Sequence, residues 1–308
     1  MKILITGGLG YIGSHVTVLL LQKGYEVVSV DNLDNSSIDV LEGIEAITGK
    51  RPFFEALDVR DENQMTNLFD KHPNIDGVIH FAAYKAVGES VEKPLEYYEN
   101  NVYGSMQLFK IMSDFDVKNI IFSSSATVYG EPLTLPLKES MQTGIPTNPY
   151  GMSKLMVENI LDDIFKGDNS WSIVRLRYFN PVGAHPSGLI GEDPKGIPSN
   201  LMPFICQVAS GERKELKIFG SDYDTTDGYC IRDFIHVSDL AKGHLSALDK
   251  CLKHGSNDIY NVGTGQGISV FELVKTFEEV NNLTLNYIFT KRRHGNVEAC
   301  FADVEKIK

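Results

Sequence analysis

Thr6-Gly7-Gly8-Leu9-Gly10-Tyr11-Ile12-Gly13 directly follows the apolar run Ile3-Leu4-Ile5, and this order reads as a strand that ends in a glycine-rich turn and opens a helix. A helix N-terminus carries unpaired N–H groups and partial positive charge, so it attracts phosphate wherever the main chain can come close. Glycines at 7, 10 and 13 remove the side chains that would stand in the way. A second β-rich run, Tyr25-Glu26-Val27-Val28-Ser29-Val30, follows the Lys23-Gly24 break and ends in Asp31, where a carboxylate can accept hydrogen bonds from ribose hydroxyls. The same carboxylate repels a 2′-phosphate, and no arginine follows it before Arg51. The βαβ unit therefore reads as a dinucleotide site that favours NAD over NADP.

Composition narrows the remaining classes. A chain of 308 residues buries roughly three quarters of its unfolded surface, enough for two domains or one elaborated α/β unit. Basic residues number 29 against 41 acidic ones, a net charge of −12, which argues against nucleic acid or a membrane surface as partner. Four cysteines, Cys206, Cys230, Cys251 and Cys300, form no C-x-x-C pair, and the eight histidines are scattered. The expectation is a reduced, cytoplasmic protein without a metal. The uncharged stretch Ile3 to Gln22 is interrupted by four glycines and His15 and lacks the cleavage pattern of a secretory leader. Nothing else approaches the roughly 20 apolar residues of a membrane span. Asn-x-Ser/Thr triplets at 35–37 and 282–284 are common by chance.

Short apolar runs alternate with helix-periodic stretches through the first 180 residues, the pattern of a doubly wound α/β protein with a parallel sheet covered on both faces. Strands are expected at 2–6, 25–30, 53–57, 77–82, 117–123 and 172–178. Open sheets of this kind bind ligands at the carboxyl ends of their strands, here Asp31-Asn32, Asp58-Val59, Phe81-Ala82-Ala83, Ser123-Ser124-Ser125 and Tyr178-Phe179-Asn180. Beyond Asn180, Pro- and Gly-rich connections suggest a smaller α/β domain over 181–308 that binds the substrate, while residues 235–262 read as an αβ element that returns to the sheet of the NAD-binding domain, 1–180.

Asn148-Pro149-Tyr150-Gly151-Met152-Ser153-Lys154 starts a helix with proline in its first turn. Tyr150 and Lys154 then share one face, with Cβ atoms roughly 5 to 6 Å apart. A free phenol has a pKa of about 10 and is a poor base at neutral pH. A neighbouring ammonium and a positive nicotinamide would both stabilise phenolate and lower that value, which makes the pair a proton shuttle for an alcohol. The spacing recurs at Tyr287-Ile288-Phe289-Thr290-Lys291, but in a β-like run, where residues four apart are separated by roughly 13 Å. That copy reads as structural. The first is distinguished by the serines 123–125 ahead of it, which offer a hydroxyl to the same substrate oxygen.

The segments 6–13, Phe122-Ser123-Ser124-Ser125-Ala126-Thr127-Val128-Tyr129-Gly130, 149–154, Arg177-Tyr178-Phe179-Asn180-Pro181-Val182-Gly183-Ala184-His185-Pro186 and Arg232-Asp233-Phe234-Ile235-His236-Val237 together resemble the UDP-glucose 4-epimerase family, a branch of the extended short-chain dehydrogenase/reductases with a Rossmann-type NAD domain. The resemblance spans nearly the whole chain. It implies that Tyr150 is the base, that Lys154 binds the nicotinamide ribose and tunes Tyr150, and that Ser125 holds the sugar hydroxyl. It further implies cofactor contacts at Gly7, Gly10, Tyr11, Ile12, Gly13, Asp31, Asn32, Asn35, Ser36, Asp58, Val59, Phe81, Ala82, Ala83, Lys85, Asn100 and Phe179. Contacts with the sugar nucleotide fall on Asn180, Asn200, Leu201, Lys217, Ile218, Phe219, Arg232, Arg293, Asn296 and Cys300. Guanidinium groups at 232 and 293 suit a diphosphate, since they offer paired donors and permanent charge.

The activity so implied is inversion at C4 of a UDP-hexose through a 4-keto sugar, with tightly bound NAD regenerated in each cycle. A dehydratase of the same superfamily needs an acid and a base after oxidation, and Ala126 and Thr127 stand where such enzymes carry Asp and Glu. A reductase is a further alternative. A non-catalytic NAD sensor would be expected to lack one of Ser125, Tyr150 and Lys154. Asn296 replaces an Asp common in relatives. Cys300 stands where some relatives carry Tyr beside the hexose, so a 2-acetamido sugar should also fit. The resemblance implies a homodimer built from helices at 94–113 and 150–165, and a further C-terminal segment beyond Lys308.

Overall fold

A computed structural model describes residues 1–293 and 297–308. Its centre is a parallel sheet of seven strands. In chain order the first six are β1 (Lys2–Thr6), β2 (Glu26–Asp31), β3 (Phe53–Ala56), β4 (Gly77–His80), β5 (Asn119–Ser125) and β6 (Ser172–Tyr178). The spatial order is β3-β2-β1-β4-β5-β6, with Asn257–Val262 as the seventh strand beyond β6. That last strand pairs in parallel with β6, Asn257 opposite Ile173 through Val262 opposite Tyr178, and is delivered by the helix Val237–His254.

Alternate residues of each strand feed two separate cores. Ile3, Ile5, Ile79 and Ile121 face a cluster with Val16 and Leu20 of the helix Tyr11–Gln22, Leu41 and Ile44 of Val40–Thr48, and Leu240 and Leu248 of Val237–His254. Leu4, Val78, Ile120 and Phe122 face the opposite cluster, with Met65 and Leu68 of Glu62–Lys71, Leu108 and Met112 of Gly104–Asp114, and Val157 and Leu161 of Pro149–Gly167. The period of two along each strand thus meets an apolar face on both sides, which is why these strands read as continuous hydrophobic runs. Each fully buried Leu or Ile stabilises the fold by about 1.5–3 kcal/mol. The chain direction across the sheet reverses between β1 and β4, and the gap this leaves at their carboxyl ends is the crevice that open α/β sheets use for ligands.

β2 is shifted by one residue, β3 is one residue shorter and β5 starts two residues later than the sequence expectation, and two further strand ends bear on the site. β4 stops at His80 rather than at 82, because the N–H groups of Phe81 and Ala82 turn to the carbonyl and hydroxyl of Thr6, at 3.0 and 3.3 Å. β5 continues through Ser125, which pairs with Tyr178 of β6. The three serines are therefore part of the sheet, held in place by its ladder.

The segment after β6 builds smaller layers. Asn180–Val182 pairs in parallel with Phe234–His236, and Leu216–Phe219 with Tyr287–Thr290. Ile231–Arg232 lies between Ile268–Ser269 and Ala299–Cys300. The run 231–237 is broken at Asp233, whose fully buried carboxylate accepts from Thr264 N and Oγ1, both at 2.7 Å, Gly265 N at 3.0 Å and Ala302 N at 3.1 Å. A small core of Ile205, Val208, Leu216, Ile218, Val274 and Leu285 fills this part. Tyr287 lies in a strand, as its β-like surroundings imply. Among the described residues no helix is long and apolar enough to cross a membrane.

Candidate active site

The glycine turn sits at the mouth of the crevice, tied to β2 by Gly7 N and Gly8 N, both donating to Val30 O at 2.8 and 3.3 Å. Its glycines do different jobs. Gly7 has φ +68°, and a Cβ there would lie 2.8 Å from Ala82 N. At Gly13 a Cβ would come within 2.3 Å of Gly7 O and 2.9 Å of Gly8 Cα. Gly7 and Gly13 are thus needed for the turn to pack on itself and on the segment that follows β4. At Gly10 a Cβ would meet only Gly7 O, at 3.2 Å. Gly8 was not anticipated, yet a Cβ there would fall 2.1 Å from Ser29 Oγ. Tyr11 pins the far side of the crevice by donating from its hydroxyl to Gly183 O at 2.6 Å, and Ile12 packs against the core.

Asp31 closes β2 and is 8% exposed. Its Oδ1 accepts from Leu33 N at 3.0 Å and Ser36 Oγ at 2.7 Å, and its Oδ2 from Leu9 N at 3.1 Å. A carboxylate has about four acceptor positions, so Oδ2 keeps one for a ribose hydroxyl. Around it, Asn32 donates to Asp58 Oδ2 at 3.3 Å, and Asn35 Oδ1 accepts from Lys195 N at 3.1 Å. Burial raises the Asp58 carboxyl, but the Arg60 guanidinium, 2.7 Å away, and Asn32 more than offset this and hold it below its usual range. Val59 is buried. These residues fit a dinucleotide: a glycine turn at a helix N-terminus, with an acceptor at the next strand end.

The side chains expected to react meet at the ends of β5 and the helix Pro149–Gly167. Asn148 caps that helix by accepting from Gly151 N at 2.9 Å, with Pro149 at its first position. Ser125 Oγ accepts from Thr127 N at 3.2 Å and from Thr127 Oγ1 at 2.9 Å. With both lone pairs engaged, its own proton is left to act on the nearby Tyr150 phenol. Lys154 is 3% exposed; its Nζ donates to Ser123 O at 2.7 Å and lies 5.0 Å above the Phe122 ring.

The proton affinities of this pair correct the sequence reading. Burial raises the Tyr150 phenol above its usual value, opposed by the Ser125 hydroxyl. Burial also lowers Lys154, to about 7, against the pull of Glu158. The protein alone therefore does not depress the phenol, because burial is the largest influence on both groups. Beneath them His80 is pushed down to about 3 by burial and by Lys154. It bridges Thr6 Oγ1 and Ser105 Oγ at 2.6 and 2.9 Å. Since Thr6 Oγ1 accepts from Ala82 N and Ser105 Oγ donates to Asn101 O, the chain closes with His80 neutral and its proton on Nε2.

Two buried acids escaped the sequence reading. Glu158 is 2% exposed and pairs with Arg177 at 2.6 Å; the i, i+4 series 150, 154, 158 on one helix face was the available signal. Glu192 Oε1 accepts both Lys85 Nζ at 2.6 Å and Asn200 Nδ2 at 2.5 Å, joining an expected cofactor contact to an expected sugar-nucleotide contact. Glu192 has no local motif. Asn101 was also missed; it ties Tyr84 N, at 2.7 Å, to Ser153 Oγ, at 3.0 Å, while Asn100 donates to it at 3.0 Å.

The remaining predicted residues lie as follows. Phe81 packs on His244 at 4.9 Å between ring centres, and Ala82 and Ala83 follow it partly exposed. Phe179 is buried, and Asn180 N donates to Asp233 O at 2.9 Å. Leu201 opens the helix Leu201–Ala209. In Leu216–Phe219, Lys217 and Phe219 are exposed, whereas the Ile218 side chain is buried in the small core. That leaves only its main chain to offer a ligand. Arg232 and Cys300 are register partners, and burial pushes the Cys300 thiol up to about 11, so it is no nucleophile at neutral pH. Arg293 is exposed and reaches toward Gly88, where a Cβ would lie 2.9 Å from its Nη2. Asn296 lies outside the described residues. Among those described, no group of three or more His, Cys, Asp or Glu could hold a metal ion.

A family profile described as the NAD-dependent epimerase/dehydratase family matches residues 3–263. The chain belongs to that family. It is 54% identical over 308 residues to a UDP-glucose 4-epimerase of Bacillus subtilis, covering 100% of this chain and 90% of the relative. With the one of Pongo abelii it is 50% identical, covering 98% and 88%. Among solved structures, the UDP-glucose 4-epimerase of Bifidobacterium longum in complex with NAD+ and UDP superposes with a TM-score of 0.96 at 54% identity, covering 100% and 91%. The UDP-Glc/GlcNAc 4-epimerase of Campylobacter jejuni superposes with a TM-score of 0.85 at 38% identity, covering 99% and 91%. The crevice between β1 and β4 and the Ser125-Tyr150-Lys154 group therefore belong to an epimerase/dehydratase family member with a Rossmann-type sheet.

Proposed function

We propose that this protein interconverts UDP-glucose and UDP-galactose by inverting C4, using tightly bound NAD. One observation carries the reading: Tyr150 stands beside the Ser125 hydroxyl and one helical turn from the buried Lys154. A bound NAD supplies a reversible hydride acceptor for C4. Tyr150 removes the proton of the 4-hydroxyl, Ser125 orients that oxygen, and the Lys154 ammonium stabilises the phenolate. The 4-keto sugar then presents its other face, and Tyr150 returns the proton. Such a turn requires a firm hold on the nucleotide and a loose hold on the sugar, so binding energy on the uridine diphosphate retains the intermediate.

Thr127 is turned inward to Ser125 and Ala126 is buried, which leaves a dehydratase without its acid and base. The residues predicted for cofactor and substrate contact, with 1–180 as NAD-binding domain and 181–308 as sugar-nucleotide domain, are part of this proposal. So are turnover of UDP-N-acetylglucosamine, permitted by the small Cys300, and a cytosolic homodimer. The dimer is favoured by the exposed apolar side chains Leu95, Tyr103, Met106 and Met156 on the helices at 94–113 and 150–165. Incubation of the NAD-loaded protein with UDP-glucose should yield a mixture with UDP-galactose; recovery of UDP-glucose alone would refute the reading.

A further inference from the structure

The helix face that carries Tyr150 and Lys154 presents a third polar side chain one turn on, Glu158. Its carboxylate is buried, with both oxygens engaged. Oε1 accepts from Ser124 Oγ at 2.5 Å and Arg177 Nε at 3.0 Å, and Oε2 from Arg177 Nη2 at 2.6 Å. Arg177 is itself 3% exposed and lies 4.7 Å over the Tyr129 ring. A buried ion pair contributes little stability beyond what apolar groups of the same volume would give, so its place behind the reacting groups calls for another role.

Its connections supply one. Ser124 lies between Ser123, whose carbonyl holds Lys154 at 2.7 Å, and Ser125, whose hydroxyl meets Tyr150. Glu158 therefore binds the strand end to the helix at the point where the two share a proton path. The groups that face Lys154 are Tyr150 and Glu158 from its own helix, His80 from β4, and the Phe122 ring and Ser123 carbonyl from β5. Behind them, β6 brings Tyr178 and Arg177. His80 is neutral and Tyr178 stays protonated, raised by burial. Glu158 is the group that opposes the loss of the Lys154 proton.

We infer that Glu158, held by Arg177, is a positioning residue for the proton transfer at Tyr150: it keeps Lys154 cationic and keeps the Ser123–Ser125 strand end aligned with the helix. This rests on the proposed role of Tyr150. Without the carboxylate, the buried ammonium releases its proton at lower pH, and the neutral amine no longer stabilises phenolate. The loss of rate should then grow as pH rises.

The test uses Glu158→Gln together with Glu158→Gln/Arg177→Met, which removes both charges and leaves no unpaired cation should the single variant fold poorly. In the NAD-loaded protein, the alkaline limb of kcat for UDP-glucose is expected to move down by about one pH unit, giving about tenfold lower kcat near pH ~8. KM should change by less than about twofold, and Glu158→Asp should restore most of the rate. In cofactor-free protein, the titration of the Lys154 amine, followed by NMR of its Cε and assigned by comparison with Lys154→Met, should move to lower pH. A folded double variant whose kcat profile and Lys154 titration both superpose on those of the parent would overturn the inference. Absence of UDP-glucose turnover in the parent would instead defeat the proposed function, and the Lys154 titration would still decide the role of Glu158.

Discussion

The Lys154 ammonium donates to the Ser123 carbonyl at 2.7 Å, one helical turn from Tyr150, in a site that excludes water from the cation. This one contact fixes where positive charge stands relative to the reacting oxygen. It also makes the charge costly, because burial takes Lys154 from 10.5 to about 7.

The cost is measurable as a pH dependence of stability. Lys154 binds its proton more weakly folded than unfolded, so the unfolded chain holds more protons between about pH 7 and 10.5, and stability from this group rises with pH across that window. Below it the native state carries the full penalty. In cofactor-free protein, Lys154→Met should therefore melt higher than the parent near pH ~6.5, with a gap that closes toward pH ~10, while its kcat falls at least about 100-fold. Thermal melts across the range check the sign; a variant less stable than the parent at the acidic end would contradict it.

Gly13→Ala places a methyl 2.3 Å from Gly7 O, whereas Gly167→Ala, at the end of the helix Pro149–Gly167, meets nothing within 4 Å. The first should displace the turn and release the dinucleotide, seen as loss of nucleotide in the mass spectrum of denatured protein. The second should retain it and change stability by no more than about 1 kcal/mol. Equal nucleotide content in both would remove the turn from cofactor binding.

Cys300→Tyr fills the space beside Arg232. We expect UDP-N-acetylglucosamine turnover to fall at least about tenfold relative to UDP-glucose, since one clash in a pocket is worth about 1–3 kcal/mol. Competition between the two substrates in one assay measures the ratio. A ratio unchanged from the parent would show that Cys300 does not set the size of the sugar site.

The doubly wound sheet was legible in the sequence because its strands are covered on both faces and carry uninterrupted apolar runs such as Ile3-Leu4-Ile5 and Val27-Val28. The pair Tyr150 and Lys154 was legible because helical spacing puts both on one face, while the same spacing at Tyr287 falls in a strand. What escaped depends on contacts distant in sequence. Gly8 is required by Ser29, Glu158 by Arg177 nineteen residues on, and Glu192 by Lys85 across 107 residues. The effect of burial on Tyr150 was hidden for a related reason: spacing reveals a neighbouring charge but not the desolvation that acts on both groups. The break at Asp233 was hidden likewise, since its partners are Thr264, Gly265 and Ala302.

The most direct test of the account is kcat of Tyr150→Phe on UDP-glucose, measured on protein shown to retain NAD. Removing the phenolic oxygen leaves the ring and the helix in place but deletes the atom that moves the proton, so the rate should fall by a factor of about 10² to 10⁴ with KM little changed. Interconversion of UDP-glucose and UDP-galactose at the parent rate would contradict the central role of Tyr150.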